Sequence, residues 1–145
     1  MSAARPAGTG PGLAPGLRAS VQVIVGDADT SAALGSGDVP VLATPRLLAL
    51  AEAAAVAAVA PHIDQGFTSV GIAVSMEHRQ ASPLGAQVLV EAELTGIEGT
   101  RLEFGFIARA ADATGDDEDA VIGAGTHERV VVDRARFLAR ARRHP

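Results

Sequence analysis

Thr44-Pro45-Arg46-Leu47-Leu48-Ala49-Leu50-Ala51-Glu52-Ala53-Ala54-Ala55-Val56-Ala57-Ala58-Val59-Ala60-Pro61 reads as one helix that is apolar on nearly every side. A threonine followed by proline is a strong start signal, with Thr44 as N-cap and Pro45 at the first helical position. The helix runs to about Ala60, and Pro61 marks its end. A helix apolar all round belongs inside a core rather than on a surface. The rest of the chain must therefore wrap around this one.

Outward from that helix the pattern changes to strands. Upstream, Leu17 to Val25 alternates, with Val21, Val23 and Val25 on one face. Gly26 to Pro40 is irregular and long enough to cover a binding site. Downstream, Phe67 to His78 is a strand, and Ala86 to Thr95 and Arg101 to Ala110 form a hairpin about Ile97-Glu98-Gly99-Thr100. Asp112 to Asp119 is an acidic loop, and Ala120 to Val132 is the last strand. Asp133 caps a short C-terminal helix carrying Phe137 and Leu138. The sum is an α+β fold, a mostly antiparallel curved sheet around one central helix.

The chain has 145 residues, which suits a single domain. Met1 to Gly16, rich in Ala, Gly and Pro, reads as a flexible tail, leaving 17–145 as the domain. Nearly half the residues are hydrophobic and 3% are aromatic, so the core is aliphatic. The net charge of −5 argues against nucleic acid as a partner. The absence of cysteine removes disulfides, thiolate metal sites and a Cys nucleophile. No signal-peptide core and no run of about 18 apolar residues is seen, so no membrane is expected and the location is cytoplasmic. The scattered histidines lack helical zinc spacing, so no metal is expected, and no cofactor motif is present.

Several positions could carry chemistry. Glu52 is the helix's only acid. It faces either a partner or cavity, because an unpaired buried charge is costly, or the helix's one wet stripe. Thr44 lies eight residues earlier, about 80° away in azimuth and about 12 Å along the axis, so the two flank one side without touching. Its bland role is N-capping. Strand alternation puts Val70, Ile72, Val74, Met76 and His78 on one apolar face that should meet the helix. His78 there is either a satisfied core residue or an imidazole oriented by Glu52. Near the C-terminus, Gly123-Ala124-Gly125-Thr126-His127-Glu128-Arg129 places Gly123, Gly125, His127 and Arg129 on one face. Glycines within a strand imply a close approach to the backbone. Arg129 either holds a substrate anion or pairs with a neighbouring acid. Arg136, Arg140 and Arg143 form a basic stripe, solvated or phosphate-binding.

These motifs together resemble the fluoroacetyl-CoA-type thioesterases, a hotdog-fold family. The resemblance runs from about Val39 to Arg142 and includes Ala43-Thr44, Glu52, Val59-Ala60-Pro61, Val70-Gly71 and His78. It continues through Ser82-Pro83-Leu84-Gly85, Glu98-Gly99-Thr100-Arg101-Leu102 and the Gly-x-Gly-Thr-His-Glu-Arg stretch. It implies a catalytic set of Thr44, Glu52 and His78, with Gly71 and Arg129 lining the substrate site. It also implies hydrolysis of an acyl-CoA thioester by a homodimer. The phenylalanine lid of the family's fluoroacetate-specific member, six residues before the threonine, is Asp38 here, so a fluorinated acetyl group is not the expected substrate; a small or medium acyl group is. A non-catalytic acyl-CoA or small-ligand binding protein on the same fold is the alternative. A hydratase would show a paired Asp and His in another arrangement. The geometric expectation is that Glu52 and His78 approach one pocket between helix and sheet.

Overall fold

The computed structural model describes residues 4–112 and 120–143. Most of the acidic loop expected at Asp112 to Asp119 lies outside the described residues. The elements are β1 (Arg18–Ile24), α1 (Ser31–Leu34), α2 (Thr44–Val59), β2 (Phe67–His78), β3 (Gln87–Glu98), β4 (Arg101–Ala110), β5 (Val121–Asp133) and α3 (Arg134–Arg142). The strands form one sheet in the order β1-β3-β4-β5-β2, with every neighbouring pair antiparallel. The β3–β4 hairpin turns at Gly99, whose φ of 62° lies in the left-handed region that glycine adopts freely. Asp133 caps α3 as expected, its carboxylate accepting the Arg136 N–H at 3.0 Å.

The concave face of the sheet closes on α2. Leu47, Leu50, Ala51, Ala54, Ala55, Ala58 and Val59 are buried against Val88, Val90, Ala92 and Leu94 of β3 and against Leu102, Phe104, Phe106 and Ala108 of β4. Small alanines let the helix lie close to the strands, which suits a core with few aromatics. The other side of α2 is open in the single chain: Ala49, Ala53, Val56 and Ala57 are exposed. With the following 3₁₀ turn the helical run Thr44–His62 has a mean hydropathy of 1.2, long and apolar enough to cross a membrane by composition alone. Its buried face, however, is the core of this sheet.

Two expectations need correction. The β2 face expected to meet the helix does so at its far end, where Met76 packs against the core and His78 reaches Thr44. In the middle it does not, because β2 is an edge strand, and Ile72 and Val74 are 47% and 39% exposed. Alternation tells which residues share a face, not whether that face is covered. A register shift between Gly71 and Ala73 also interrupts the strand's regular pairing with β5.

The flexible tail expected over 1–16 is, where described, docked across the C-terminal end of α2. Thr9 bridges to Ile63, the Gly10 N–H donates to the His62 carbonyl at 2.7 Å, and the Asp64 N–H donates to the Gly8 carbonyl at 2.9 Å. A Cβ on Gly8 would strike the Phe67 ring, and one on Gly10 would stand 2.8 Å from the His62 carbonyl. The glycines that make this stretch look like a tail are what lets its backbone lie flat against the domain.

Candidate active site

Thr44 is not the cap of α2. Ala43 occupies that position with no side-chain hydrogen bond, and Thr44 is the first helical residue. Its hydroxyl is therefore free of the backbone, and Thr44 Oγ1 lies 2.8 Å from His78 Nδ1. His78 is the last residue of β2, and the Arg79 N–H that follows donates to the Ile122 carbonyl at 2.7 Å, fixing the strand end. His78 Nε2 is buried without a well-formed hydrogen bond. Burial lowers the His78 pKa below its ordinary 6.5, against the Gln80 backbone, which raises it. The ring is thus held neutral at pH 7. The tautomer that suits these surroundings keeps the proton on Nε2, leaving Nδ1 to accept from the Thr44 hydroxyl.

Glu52 belongs to a second constellation. Arg129 Nη1 donates to Glu52 Oε2 at 3.1 Å, and His127 Nε2 stands 3.8 Å from the same oxygen. Arg129 is only 6% exposed and spends its other donors inside the fold: Nε to Ser69 Oγ at 2.8 Å, Nη2 to the Ser69 carbonyl at 2.9 Å, and Nη1 also to His127 Nε2 at 3.1 Å. His127 in turn bonds through Nδ1 to the Ala73 carbonyl at 2.9 Å. Burial lowers the Arg129 pKa, opposed by the charge and hydrogen bond of Glu52. Of the two readings open for Arg129, the ion pair is the one the chain adopts.

The glycines divide by what approaches them. Gly71 pairs with Arg129 across β2–β5, and a Cβ there would stand 2.5 Å from Glu52 Oε2, 3.2 Å from His127 Cε1 and 3.3 Å from Arg129 Nη1. Gly71 is thus the floor on which the cluster rests. At Gly123 and Gly125, expected to line a substrate site, the close neighbours belong to the chain itself. A Cβ on Gly123 would meet the Glu77 carbonyl at 2.8 Å and Leu47 Cδ2 at 2.9 Å. One on Gly125 would strike the Ser75 carbonyl and stand 2.9 Å from Phe106 Cζ. These glycines let β5 sit tightly between β2, α2 and β4.

Glu52 and His78 therefore do not converge within one chain. The carboxylate lies on Arg129, and the imidazole lies on Thr44. Gly71 and His78 stand seven positions apart on β2, roughly 20 Å of extended strand. Beside Glu52 a cleft of about 260 Å³ is lined by Leu48, Glu52, Gly71, Ile72, Ala73, Val74 and His127. It opens along the exposed edge of β2. The motif signal marked His127 and Ser69 only weakly, since a serine in a strand carries no signature and a histidine beside an arginine has many uses.

The chain matches the family described as fluoroacetyl-CoA-specific thioesterase over residues 25–135. It is 41% identical over 102 residues to the fluoroacetyl-CoA thioesterase of Streptantibioticus cattleyicolor, covering 70% of this chain and 68% of that protein. Among solved structures it is similar to the fluoroacetyl-CoA thioesterase FlK, with 34% identity and a TM-score of 0.80 over 92% of this chain and 98% of that one. A threonine-to-serine variant of FlK in complex with acetyl-CoA gives 31% identity and a TM-score of 0.81, over 92% and 100% of the two chains. A thioesterase superfamily member from Thermus thermophilus, 27% identical, matches with a TM-score of 0.80 over 92% and 93%. These are hotdog folds, and the sheet and helix described above are laid out in the same way. The chain belongs to the family of fluoroacetyl-CoA-specific thioesterases.

Proposed function

We propose that this protein is an acyl-CoA thioesterase for small or medium acyl groups, working as a homodimer. The observation that carries the reading is the 2.8 Å contact between Thr44 Oγ1 and Nδ1 of a neutral, half-buried His78. This is the arrangement of a hydroxyl with its general base. In the covalent route Nδ1 takes the Thr44 proton as Oγ1 attacks the thioester carbon. The C–S bond breaks, and the imidazolium returns its proton to the departing thiolate. Water, deprotonated by the same nitrogen, then releases the carboxylic acid and restores Thr44. In the direct route His78 activates water and Thr44 positions it. Backbone N–H groups of the first turn of α2 or near Gly71 are candidates to meet the oxyanion; Pro45 has none to give.

A dimer accounts for the split between the two constellations. Among the described residues the outer edge of β2 is unpaired, Gly71 to Ser75 are exposed in mid-strand, and the open stripe of α2 adds Val56 and three alanines. A free edge beside an apolar patch is suited to association. Antiparallel self-pairing of β2 about a dyad near Val74 and Ser75 sets Gly71 opposite the partner subunit's His78. Glu52 of one protomer then joins Thr44 and His78 of the other, its second carboxylate oxygen available to a water or to the ring.

Asp38, at the position of the phenylalanine lid, is exposed and polar. Weak discrimination between fluoroacetyl and acetyl groups follows from this. A panel of acyl-CoAs assayed for free thiol, with an oxygen-ester control, tests the reading. Tight binding of CoA esters without thiol release would establish the binding-protein alternative instead.

A further inference from the structure

The helix that carries Thr44 begins without a side-chain cap, and its anchor comes from elsewhere. Asp29, in the 3₁₀ turn Asp27–Asp29 after β1, accepts the Ala43 N–H on its backbone carbonyl at 2.9 Å. Its carboxylate accepts Arg46 Nε at 2.8 Å through Oδ1 and the Gly26 N–H at 2.9 Å through Oδ2. The Asp29 side chain is 16% exposed and that of Arg46 35%. One residue thus grips α2 on both sides of Thr44, at position 43 through the backbone and at position 46 through the side chain.

The segment around Asp29 also reaches the strand end that holds His78. Thr30 bridges to Leu42, and the Ser31 N–H donates to the Val41 carbonyl at 2.9 Å, so residues 26–43 close on themselves. Val41 then bridges to Pro83, and the Leu42 N–H donates to the Ser82 carbonyl at 2.8 Å. Ser82 and Pro83 lie just beyond His78. The segment is a bracket between the two elements whose tips meet at Thr44 and His78. The first turn of a helix is where fraying concentrates, and Thr44 is exposed there. Without an anchor its hydroxyl would wander on the scale that costs reaction rate.

We propose that Asp29 is a positioning residue for Thr44: with Arg46 it fixes the first turn of α2 so that the hydroxyl stays in bonding range of His78. This rests on the reading that Thr44 and His78 do the chemistry. The half-buried setting of the pair and the two backbone bonds make the clamp part of the fold. The Gly26 hydrogen bond, and then that of Arg46, lower the Asp29 pKa below the ordinary carboxylate range, so the charged form is favoured in the clamp.

The test measures kcat, KM and melting temperature of the full chain together with the ¹⁵N resonance of His78 Nδ1, which reports whether that nitrogen accepts a hydrogen bond. Asp29→Ala and Arg46→Met should lower kcat by about tenfold to a hundredfold, leave KM for the acyl-CoA in place, and move the Nδ1 resonance as Thr44→Ala does. Asp29→Asn, which keeps an acceptor for Gly26, guards against simple unfolding and should give an intermediate kcat. Arg46→Lys should recover little, because an ammonium cannot reproduce the Nε geometry. Unchanged kcat and an unmoved resonance in Asp29→Ala would overturn the proposal, as would a rise in KM alone. If the resonance moves while Thr44→Ala itself hydrolyses at the wild-type rate, the clamp stands and the assignment of chemistry to Thr44 falls.

Discussion

Gly71 leaves the space that Glu52 occupies: a single methyl group on that glycine would stand 2.5 Å from Glu52 Oε2. The carboxylate could swing aside, but it would then leave Arg129, which is buried. Gly71→Ala should therefore destabilise the fold by about 1–3 kcal/mol, the range for overpacking or for a buried donor left unmet. Urea unfolding measures the first effect. Thiol release should fall with it even at temperatures where the variant is fully folded.

Glu52 and Arg129 respond differently to substitution. Glu52→Gln keeps an oxygen for Arg129 and removes the charge, so stability should change little while turnover falls by about 10²–10⁴, the usual cost of losing an acid–base partner. Arg129→Met empties four hydrogen bonds. Its cost should lie below the about 3–5 kcal/mol of a fully buried pair, because the Glu52 side chain is 38% exposed and can be solvated. A Glu52→Gln variant with wild-type turnover would remove Glu52 from the mechanism.

Thr44→Ala separates catalysis from folding. Ala43, not Thr44, is the N-cap, and Thr44 is exposed. The substitution should alter stability by no more than about 0.5 kcal/mol, as at other surface positions. Turnover should drop sharply, while Thr44→Ser should keep most of it. Loss of stability near the roughly 1 kcal/mol of a missing cap would contradict the assignment of the helix start.

The pH dependence follows from His78. Its folded-state pKa is lowered by burial, so the neutral ring that accepts a proton persists below pH 6.5. The acid limb of kcat/KM should have its midpoint below that value. The linked stability has the same sign: above pH 6.5 the ring is neutral in folded and unfolded chains alike, and stability falls as pH drops from there through the folded-state pKa, where the unfolded chain binds the extra proton. His78→Gln should remove this part of the acid sensitivity seen in unfolding curves.

Association through β2 should be sensitive to Val74. A lysine at this exposed mid-strand position leaves the single-chain core untouched and places like charges near the dyad. Val74→Lys should sediment as a monomer and lose turnover, since Glu52 would no longer reach the partner subunit's His78. A monomeric variant with full activity would confine the site to one chain.

Much of this architecture is legible in the amino-acid order. Thr44-Pro45 and Pro61 bracket α2 because proline acts locally, and Gly99 marks the hairpin because a tight turn needs a left-handed residue. Phe67–His78 emerges from alternation alone. What escapes is what depends on distant neighbours. Nothing local tells that Asp29 reaches Ala43 and Arg46, that the strand facing Gly123 and Gly125 is β2 rather than a ligand, or that Thr44 yields the cap to Ala43. The family resemblance supplied the roles of Thr44, Glu52 and His78; bare spacing would have left the first as a cap. The expected meeting of Glu52 with His78 fails within one chain because Glu52, on α2, lies against Gly71 in the middle of β2, whereas His78 ends that strand beside Thr44.

The docked N-terminal segment alters what counts as the unit of this protein. The family match spans residues 25–135, yet β1 ends at Ile24, and the stretch that closes the end of α2 lies earlier still. A polypeptide trimmed to the shared region would bare the backbone of β3 along its pairing with β1 and uncover Phe67 beside the vacated Gly8. It would then own two sticky borders instead of one, and its chains would be expected to polymerise through both. The matched region and the length that covers β3 and closes the end of α2 are thus different stretches of the same chain.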